Sequence, residues 1–103
     1  MVVAYENNVP VGCGAIKAYD EQSMEVKRMF VPSSQRGKGI ASAVLRELES
    51  WAKELGATRC ILETGRDMQD AVNLYQKCGY TIIPNYGQYT DAEDSICFEK
   101  IFI

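Results

Sequence analysis

The first third of the chain alternates short apolar runs with turn residues, and this pattern predicts three β-strands. The runs cover residues 2–5, 9–19 and 24–31, and polar turn residues separate them at 6–8 and 20–23. The first two strands are expected to form a hairpin because the connection between them is short.

Two glycines, Gly12 and Gly14, interrupt the second predicted strand. A glycine inside a strand weakens it, and often marks a bulge or a place where another part of the protein approaches the backbone closely. We therefore expect an irregular or closely packed strand at these two positions.

After the third strand, apolar residues recur at three- and four-residue spacing, which predicts a helix from about Gly39 to Leu55. Charged residues of this segment, Glu49 among them, are expected to lie away from the core, and Gly56 is expected to end the helix. The residues expected on the buried stripe are Ile40, Val44, Leu48, Trp51 and Leu55.

The second half continues with a strand at 59–63, a strand at 80–83, a loop at 84–94 and a final strand at 95–103. A strand–helix–strand order implies a parallel crossover, whereas the final strand is expected to be antiparallel to its neighbours. These elements predict an α/β (α+β) fold with a mixed, mostly antiparallel sheet, in a single domain that spans residues 1–103.

A second helix is predicted from Met68 to Cys78, with Asp67 as its N-cap and Gly79 as its stop. The carboxylate of an N-cap aspartate accepts hydrogen bonds from the first backbone N–H groups of a helix. The residues expected on its apolar side are Ala71, Leu74, Tyr75 and Cys78.

The turn between the third strand and the first helix carries two glycines and two basic residues, in the order Arg36-Gly37-Lys38-Gly39. The first turn of a helix has unpaired N–H groups and the positive end of the helix dipole. Glycine lets a ligand approach that backbone closely. The turn therefore predicts a site for a phosphate or pyrophosphate, although an ordinary glycine-rich helix start that binds nothing is the alternative.

Two common phosphate motifs do not fit this turn. A Walker loop requires Ser or Thr where the chain has Gly39, and the dinucleotide fingerprint requires a third glycine where it has Ser42. The pattern Arg36-x-x-Gly39-x-Ala41 instead resembles the acetyl-CoA pyrophosphate motif of the GNAT superfamily of N-acetyltransferases.

A second segment carries the same resemblance. Residues 71–80 read AVNLYQKCGY, which looks like the second GNAT signature, Ala-x-x-Leu-Tyr-x-x-x-Gly-Phe/Tyr. Residues 62–65 and 95–100 also resemble segments of a common bacterial branch of the superfamily. The resemblance runs from about Val9 to the end, and the order and spacing of the two signatures agree with the family.

The resemblance implies a function: acetyl-CoA-dependent transfer of an acetyl group to a primary amine of a small molecule or protein. It implies that Tyr75 is the general acid and Glu25 the base, directly or through a water, with Glu63 as a second candidate base. The residues expected to bind acetyl-CoA are Met29, Phe30, Val31, Arg36, Gly37, Lys38, Gly39, Ile40, Ala41, Ser42, Gln69 and Asn73.

Each of these roles has a structural alternative. Glu25 could be a solvated strand residue opposite Lys17, and Tyr75 could be a core residue with its hydroxyl at the surface. Tyr86 and Tyr89 could line the acceptor pocket or only fix their loop in place. A non-catalytic acyl-CoA-binding module and a nucleotide-binding domain of another family remain alternative functions.

The sequence departs from the family pattern in two places. Met68 stands where many members have an asparagine, so Gln69 is expected to take over that contact. The chain also starts near the second strand of the family, apparently without its usual first strand and first two helices. The sheet edge exposed in this way predicts a homodimer.

Composition narrows the classes of partner. The net charge of −3 disfavours nucleic acid and slightly favours a cationic amine, such as an amino acid, polyamine, aminoglycoside or lysine side chain. The absence of histidine excludes Ser-His-Asp and Cys-His catalysis and argues against a metal.

The four cysteines show no C-x-x-C spacing, so they are expected to be core residues rather than disulfides. Without a membrane-spanning or signal segment, the cytoplasm is the expected location.

Overall fold

The computed structural model describes residues 1–102, which form a six-stranded sheet and two α-helices. Each element lies within two residues of its predicted bounds, and the last residue of the predicted final strand, 103, lies outside the described residues. The elements are β1 (Val2–Glu6), β2 (Val9–Ala18), β3 (Ser23–Phe30), α1 (Ile40–Glu54), β4 (Arg59–Gly65), α2 (Gln69–Lys77), β5 (Thr81–Ile83) and β6 (Ser95–Ile101).

The sheet has the strand order β1-β2-β3-β4-β6-β5. Strands β3 and β4, which α1 connects, pair in parallel, and the other neighbouring pairs are antiparallel. This arrangement confirms the mixed, mostly antiparallel sheet expected from the sequence. β1 lies at one edge of the sheet, and the homodimer predicted from an exposed edge stays a prediction.

Both glycines of β2 lie beside irregular pairing. The register slips by one residue between β1 and β2 next to Gly12, and between β2 and β3 opposite Gly14. A Cβ atom on Gly12 would lie 2.7 Å from Cγ2 of Ile40, and one on Gly14 would lie 2.7 Å from Sδ of Met29. The expectation of bulges and close approach at these positions is confirmed, and Gly12 lets the first turn of α1 pack directly on β2.

The buried face of α1 differs from the predicted stripe towards its end. Val44 and Leu48 are buried as predicted, but Trp51 and Leu55 are 36% and 55% exposed, so that part of the prediction was wrong. The helix instead buries Leu45 and Ala52. Towards its end, the side that faces the core is shifted by one residue from the predicted stripe, so Ala52 is buried where Trp51 was expected. The same rotation buries a carboxylate.

That carboxylate belongs to Glu49, which was expected to face away from the core and is only 5% exposed. The Tyr80 hydroxyl donates a hydrogen bond to Glu49 Oε2 at 2.9 Å, and the Lys100 ammonium donates one to Oε1 at 3.0 Å. A buried charge is tolerated when it is paired and hydrogen-bonded, as here. Both partners are distant in sequence, so no local pattern indicated them.

The start of α2 also differs from prediction, because Met68 rather than Asp67 is the N-cap. The N–H of Met68 donates to the Gly65 carbonyl at 3.0 Å and closes a turn, and the Met68 carbonyl accepts from Val72 at 3.0 Å. Asp67 lies inside that turn, one residue too early to cap the helix.

The four cysteines are free, and Cys60 and Cys97 are buried in the core as expected. Burial raises the pKa of the Cys60 thiol to about 11, so this residue stays a neutral thiol at ordinary pH. Neither helix of the described residues has the length and apolar character that crossing a membrane requires.

Candidate active site

The sheet divides at its centre. Parallel pairing between β3 and β4 extends only from Ser23–Arg59 to Glu25–Ile61. Beyond this point β3 continues along β2 and β4 continues along β6. Within the described residues, the edge of β3 that faces β4 therefore has no strand partner after Glu25, and a cleft opens between the carboxyl ends of the two strands.

A bulge in β3 lies where the strands separate. One extra residue is accommodated on β3 opposite Gly14, and Arg28 there adopts φ +56°. A positive φ is uncommon for a residue other than glycine, and a bulge increases local twist and bends its strand. The bulge thus accompanies the turning of β3 away from β4.

The cleft has a volume of about 270 Å³ and brings together the proposed base, the proposed acid and the second candidate base. Gln69 and Asn73 do not line it; on the exposed side of α2 the Gln69 amide donates to Asn73 Oδ1 at 2.9 Å. The lining residues are Glu25, Val26, Lys27, Arg28, Met29, Glu63, Thr64, Met68, Ala71, Tyr75 and Tyr89.

Glu25 is fixed in position by two partners. The Tyr86 hydroxyl donates to Glu25 Oε2 at 2.6 Å, and the Lys27 ammonium lies 3.5 Å from Oε1. Glu25 pairs with Lys17 across the strands as expected, but it is only 7% exposed, so the alternative of a solvated strand residue was wrong. Burial, followed by the hydrogen bond to Glu25, raises the pKa of Tyr86 far above its ordinary value.

Three tyrosines pack around this carboxylate. The ring of Tyr86 lies edge-on to Tyr19 at 5.1 Å and to Tyr89 at 5.6 Å between centroids. The Lys27 ammonium donates to the Tyr89 hydroxyl at 3.3 Å. Tyr89 lines the cleft and Tyr86 holds Glu25, whereas Tyr19 was not singled out from the sequence because it lies far from the other two along the chain.

Tyr75 reaches the cleft from α2 and is 7% exposed. Its ring packs near Tyr80 and Phe98, with centroid distances of 5.9 and 6.0 Å. Its hydroxyl bonds to no described residue, and the described residues contain no buried polar side-chain atom without a partner, so this hydroxyl is accessible to solvent. Burial raises the pKa of Tyr75, which keeps the hydroxyl protonated.

Glu63 is half-buried on β4 at the opposite side of the cleft from β3. The Ser95 hydroxyl donates to Glu63 Oε2 at 2.5 Å. The carboxylate is therefore held by a side chain of β6.

The glycine-rich turn presents a row of backbone amides. Gly37 and Gly39 have φ of +83° and +76°, and Gly39 is the N-cap of α1 without a side-chain cap. The first hydrogen bond of the helix runs from Ala43 N–H to the Gly39 carbonyl at 3.0 Å. The N–H groups of residues 37–42 have no acceptor among the described residues. An added Cβ at either glycine would meet nothing within 4 Å, so the space beside these two glycines is open.

The two basic side chains of the turn differ in their contacts. Arg36 Nε donates to the Val31 carbonyl at 3.2 Å, which folds the turn back on the end of β3. Lys38 Nζ donates to Gln35 Oε1 at 3.0 Å, and both basic residues are exposed. Positive charge and free amides thus lie together at the end of β3, while the described residues contain no cluster of three or more metal-ligating side chains.

Fold and site together define a class of protein: an α+β domain whose parallel strands separate beside a helix start with free backbone N–H groups. Residues 1–80 match the model of a family described as "Acetyltransferase (GNAT) family". Because the match covers most of the chain, the chain belongs to the GNAT family of acetyltransferases. The family expected from the two sequence signatures is confirmed.

Curated relatives match almost the whole chain. The IAA acetyltransferase of Azospirillum brasilense is 36% identical over 100 residues, which cover 96% of this chain and 65% of that protein. YsnE, an uncharacterized N-acetyltransferase of Bacillus subtilis (strain 168), is 31% identical over 99 residues, or 94% of this chain and 66% of that protein. The chain thus spans just under two thirds of the length of these relatives.

A solved structure confirms the fold. The crystal structure of a GNAT family acetyltransferase from Elizabethkingia anophelis with acetyl-CoA bound matches with a TM-score of 0.85 at 22% identity. The match covers 97% of this chain and 74% of that chain. The GNAT-like mixed sheet expected from the sequence is the fold observed.

Proposed function

We propose that this chain binds acetyl-CoA and transfers its acetyl group to a primary amine of a small molecule or protein. The observation that carries the proposal is the row of unpaired amides at residues 37–42, placed at the carboxyl end of β3 where the sheet divides. Such amides suit a diphosphate, because they point at the ligand and the helix dipole favours negative charge. A bound acetyl-CoA in a protein of the same fold supports this assignment.

The open edge of β3 suits the rest of the cosubstrate. An extended ligand can add to an exposed strand edge through main-chain hydrogen bonds. Residues 29–31 connect the cleft to the glycine-rich turn, and no described strand pairs with them on the side of β4. We assign the pantetheine arm to this segment. Gln69 and Asn73, which bond to each other on α2, are assigned as further contacts.

Glu25 is proposed as the base that takes a proton from the attacking amine, directly or through a water. It lines the cleft at the last paired position of β3, and Tyr86 and Lys27 fix its carboxylate. A positioned base of this kind contributes rate by accepting the proton as the new bond forms. Glu63 is the second candidate, since it lines the same cleft.

Tyr75 is proposed as the acid that gives a proton to the leaving thiolate. Its side chain lines the cleft and its hydroxyl is accessible. Burial keeps the hydroxyl protonated because the raised pKa lies above the ordinary value of about 10. The proton that leaves the amine and the proton that reaches the sulfur thus pass through different side chains.

The acceptor is proposed to be an amine, with no nucleic acid or membrane as partner. The four free cysteines suit a reducing compartment, so the cytoplasm is the proposed location. A homodimer through the β1 edge is retained as part of the proposal.

Isothermal titration of the purified chain with acetyl-CoA, ATP and NAD tests the proposal. We expect acetyl-CoA to bind and ATP and NAD to fail as competitors, because the turn lacks both the Walker and the dinucleotide patterns. Addition of amines should then release free thiol from acetyl-CoA. Tighter binding of ATP or NAD than of acetyl-CoA would contradict the proposal.

A further inference from the structure

Arg28 has an unusual backbone for a strand residue. The residues other than glycine with positive φ among those described are Asn7, Asn8 and Arg28. The two asparagines form the β1–β2 turn, where asparagine tolerates this conformation. Arginine does not adopt this conformation as readily as asparagine does, and Arg28 lies within β3 rather than in a turn. A residue with a strained backbone at a cleft commonly serves a function.

The guanidinium of Arg28 is also unpaired, unlike the other charged groups that line the cleft. Glu25 is bound by Tyr86 and Lys27, and Glu63 is bound by Ser95. Arg28 forms no ion pair and donates no side-chain hydrogen bond to any residue from 1 to 102. The cleft is therefore lined by two carboxylates and by one exposed cation that has no side-chain partner among residues 1–102.

We propose that Arg28 binds a carboxylate of the acceptor, so that the substrate is an amine of the amino-acid class; this inference rests on the function proposed above. A guanidinium presents a planar fork that matches a carboxylate bidentately. Glu25 and Glu63 provide the complementary charge for an ammonium in the same cleft. A zwitterion meets both requirements, whereas a polyamine would place a further cation next to Arg28.

The phosphates of the cosubstrate are the other anions available to Arg28. They are disfavoured because the free amides at 37–42 lie beyond the end of β3, while Arg28 lines the cleft together with Glu25 and Tyr75. Experiment can separate an acceptor carboxylate from a cosubstrate phosphate as the ligand of Arg28. Loss of a contact to the acceptor raises the KM of the acceptor, whereas loss of a contact to the cosubstrate raises the Kd of acetyl-CoA.

The test compares L-amino acids with the corresponding amino acid amides as acceptors for the whole chain. The variants are Arg28→Asn, which tolerates the positive φ but lacks the charge, and Arg28→Lys, which keeps a charge without the fork. Lys53→Gln, which removes an exposed cation of α1 outside the cleft, is the matched control.

For Arg28→Asn we expect the KM of the amino acid to rise about 10- to 100-fold, the range for a lost charge-assisted hydrogen-bonded pair. The KM of the amide and the Kd of acetyl-CoA should stay within about 2-fold, as should all three constants in Lys53→Gln. Arg28→Lys should recover part of the lost affinity for the amino acid.

Three results would overturn the inference. In Arg28→Asn, the KM could rise equally for the amino acid and its amide, or the binding of acetyl-CoA could weaken. In the wild-type chain, the KM could be no lower for amino acids than for their amides. If acetyl-CoA binds and amides are acetylated, these results leave the proposed function intact. If acetyl-CoA does not bind at all, the proposed function fails and the inference fails with it.

Discussion

Replacing Tyr75 with phenylalanine is expected to lower kcat by about 100-fold or more, the contribution typical of a positioned proton donor. The substitution removes only the hydroxyl, which bonds to no described residue, so the ring keeps its packing against Tyr80 and Phe98. The Kd of acetyl-CoA should therefore change by less than about 2-fold. Steady-state kinetics and isothermal titration of the variant measure the two effects separately.

The pH dependence follows from the direction of the pKa shift. Burial raises the pKa of Tyr75, so the proton-donating form is complete below the ordinary value of about 10 and is lost only above the raised value. The wild-type rate should show no decline from this group up to about pH 9. Tyr5→Phe, at an exposed position of β1, is the matched control and should keep full activity. A Tyr75→Phe rate within about 2-fold of wild type would favour a non-catalytic acyl-CoA-binding module.

Replacing Glu25 with glutamine is expected to lower kcat/KM by about 100-fold near neutral pH, because the amine loses its proton acceptor. Glutamine keeps the size of the side chain and can still accept the hydrogen bond from Tyr86, so the loop should stay folded. The deficit should shrink as the pH rises towards the pKa of the acceptor amine, since the amine then enters without its proton. A pH–rate profile of the variant measures this recovery.

Glu63→Gln provides the comparison for this prediction. Glu63 lines the same cleft, and the Ser95 hydroxyl donates a hydrogen bond to it as the Tyr86 hydroxyl does to Glu25. We expect its effect on kcat/KM to be at least about 10-fold smaller than that of Glu25→Gln. The opposite order, with the larger loss and the pH recovery in Glu63→Gln, would transfer the role of base to Glu63.

The order of elements and the glycine-rich turn were readable from the sequence because both depend on local patterns. The two-residue spacing of strands and the three- to four-residue spacing of helices follow from backbone geometry. Gly37 and Gly39 indicated a backbone that a ligand can approach, and no described atom lies within 4 Å of a Cβ placed on either residue. The parallel pairing of β3 with β4 followed from the helix that connects them. These features needed no knowledge of distant contacts.

The features that the sequence did not predict arise from contacts between distant segments. The carboxylate of Glu49 is buried where it accepts hydrogen bonds from Tyr80 and Lys100. The carboxylate of Glu25 is buried where it accepts one from Tyr86. The positive φ of Arg28 arises from a pairing slip opposite β2, which depends on the partner strand as much as on β3 itself. No spacing within one element carries this information.

Binding of the diphosphate at the open turn can be observed by amide proton–nitrogen correlation spectroscopy of the chain as acetyl-CoA is added. If the turn holds the diphosphate, the amide signals of residues 37–42 shift most strongly and in proportion to binding. Pantetheine, which lacks the diphosphate, should perturb the cleft around Met29 and leave those six amides unchanged. Binding of acetyl-CoA without a response at residues 37–42 would contradict the central claim that the open turn holds the diphosphate.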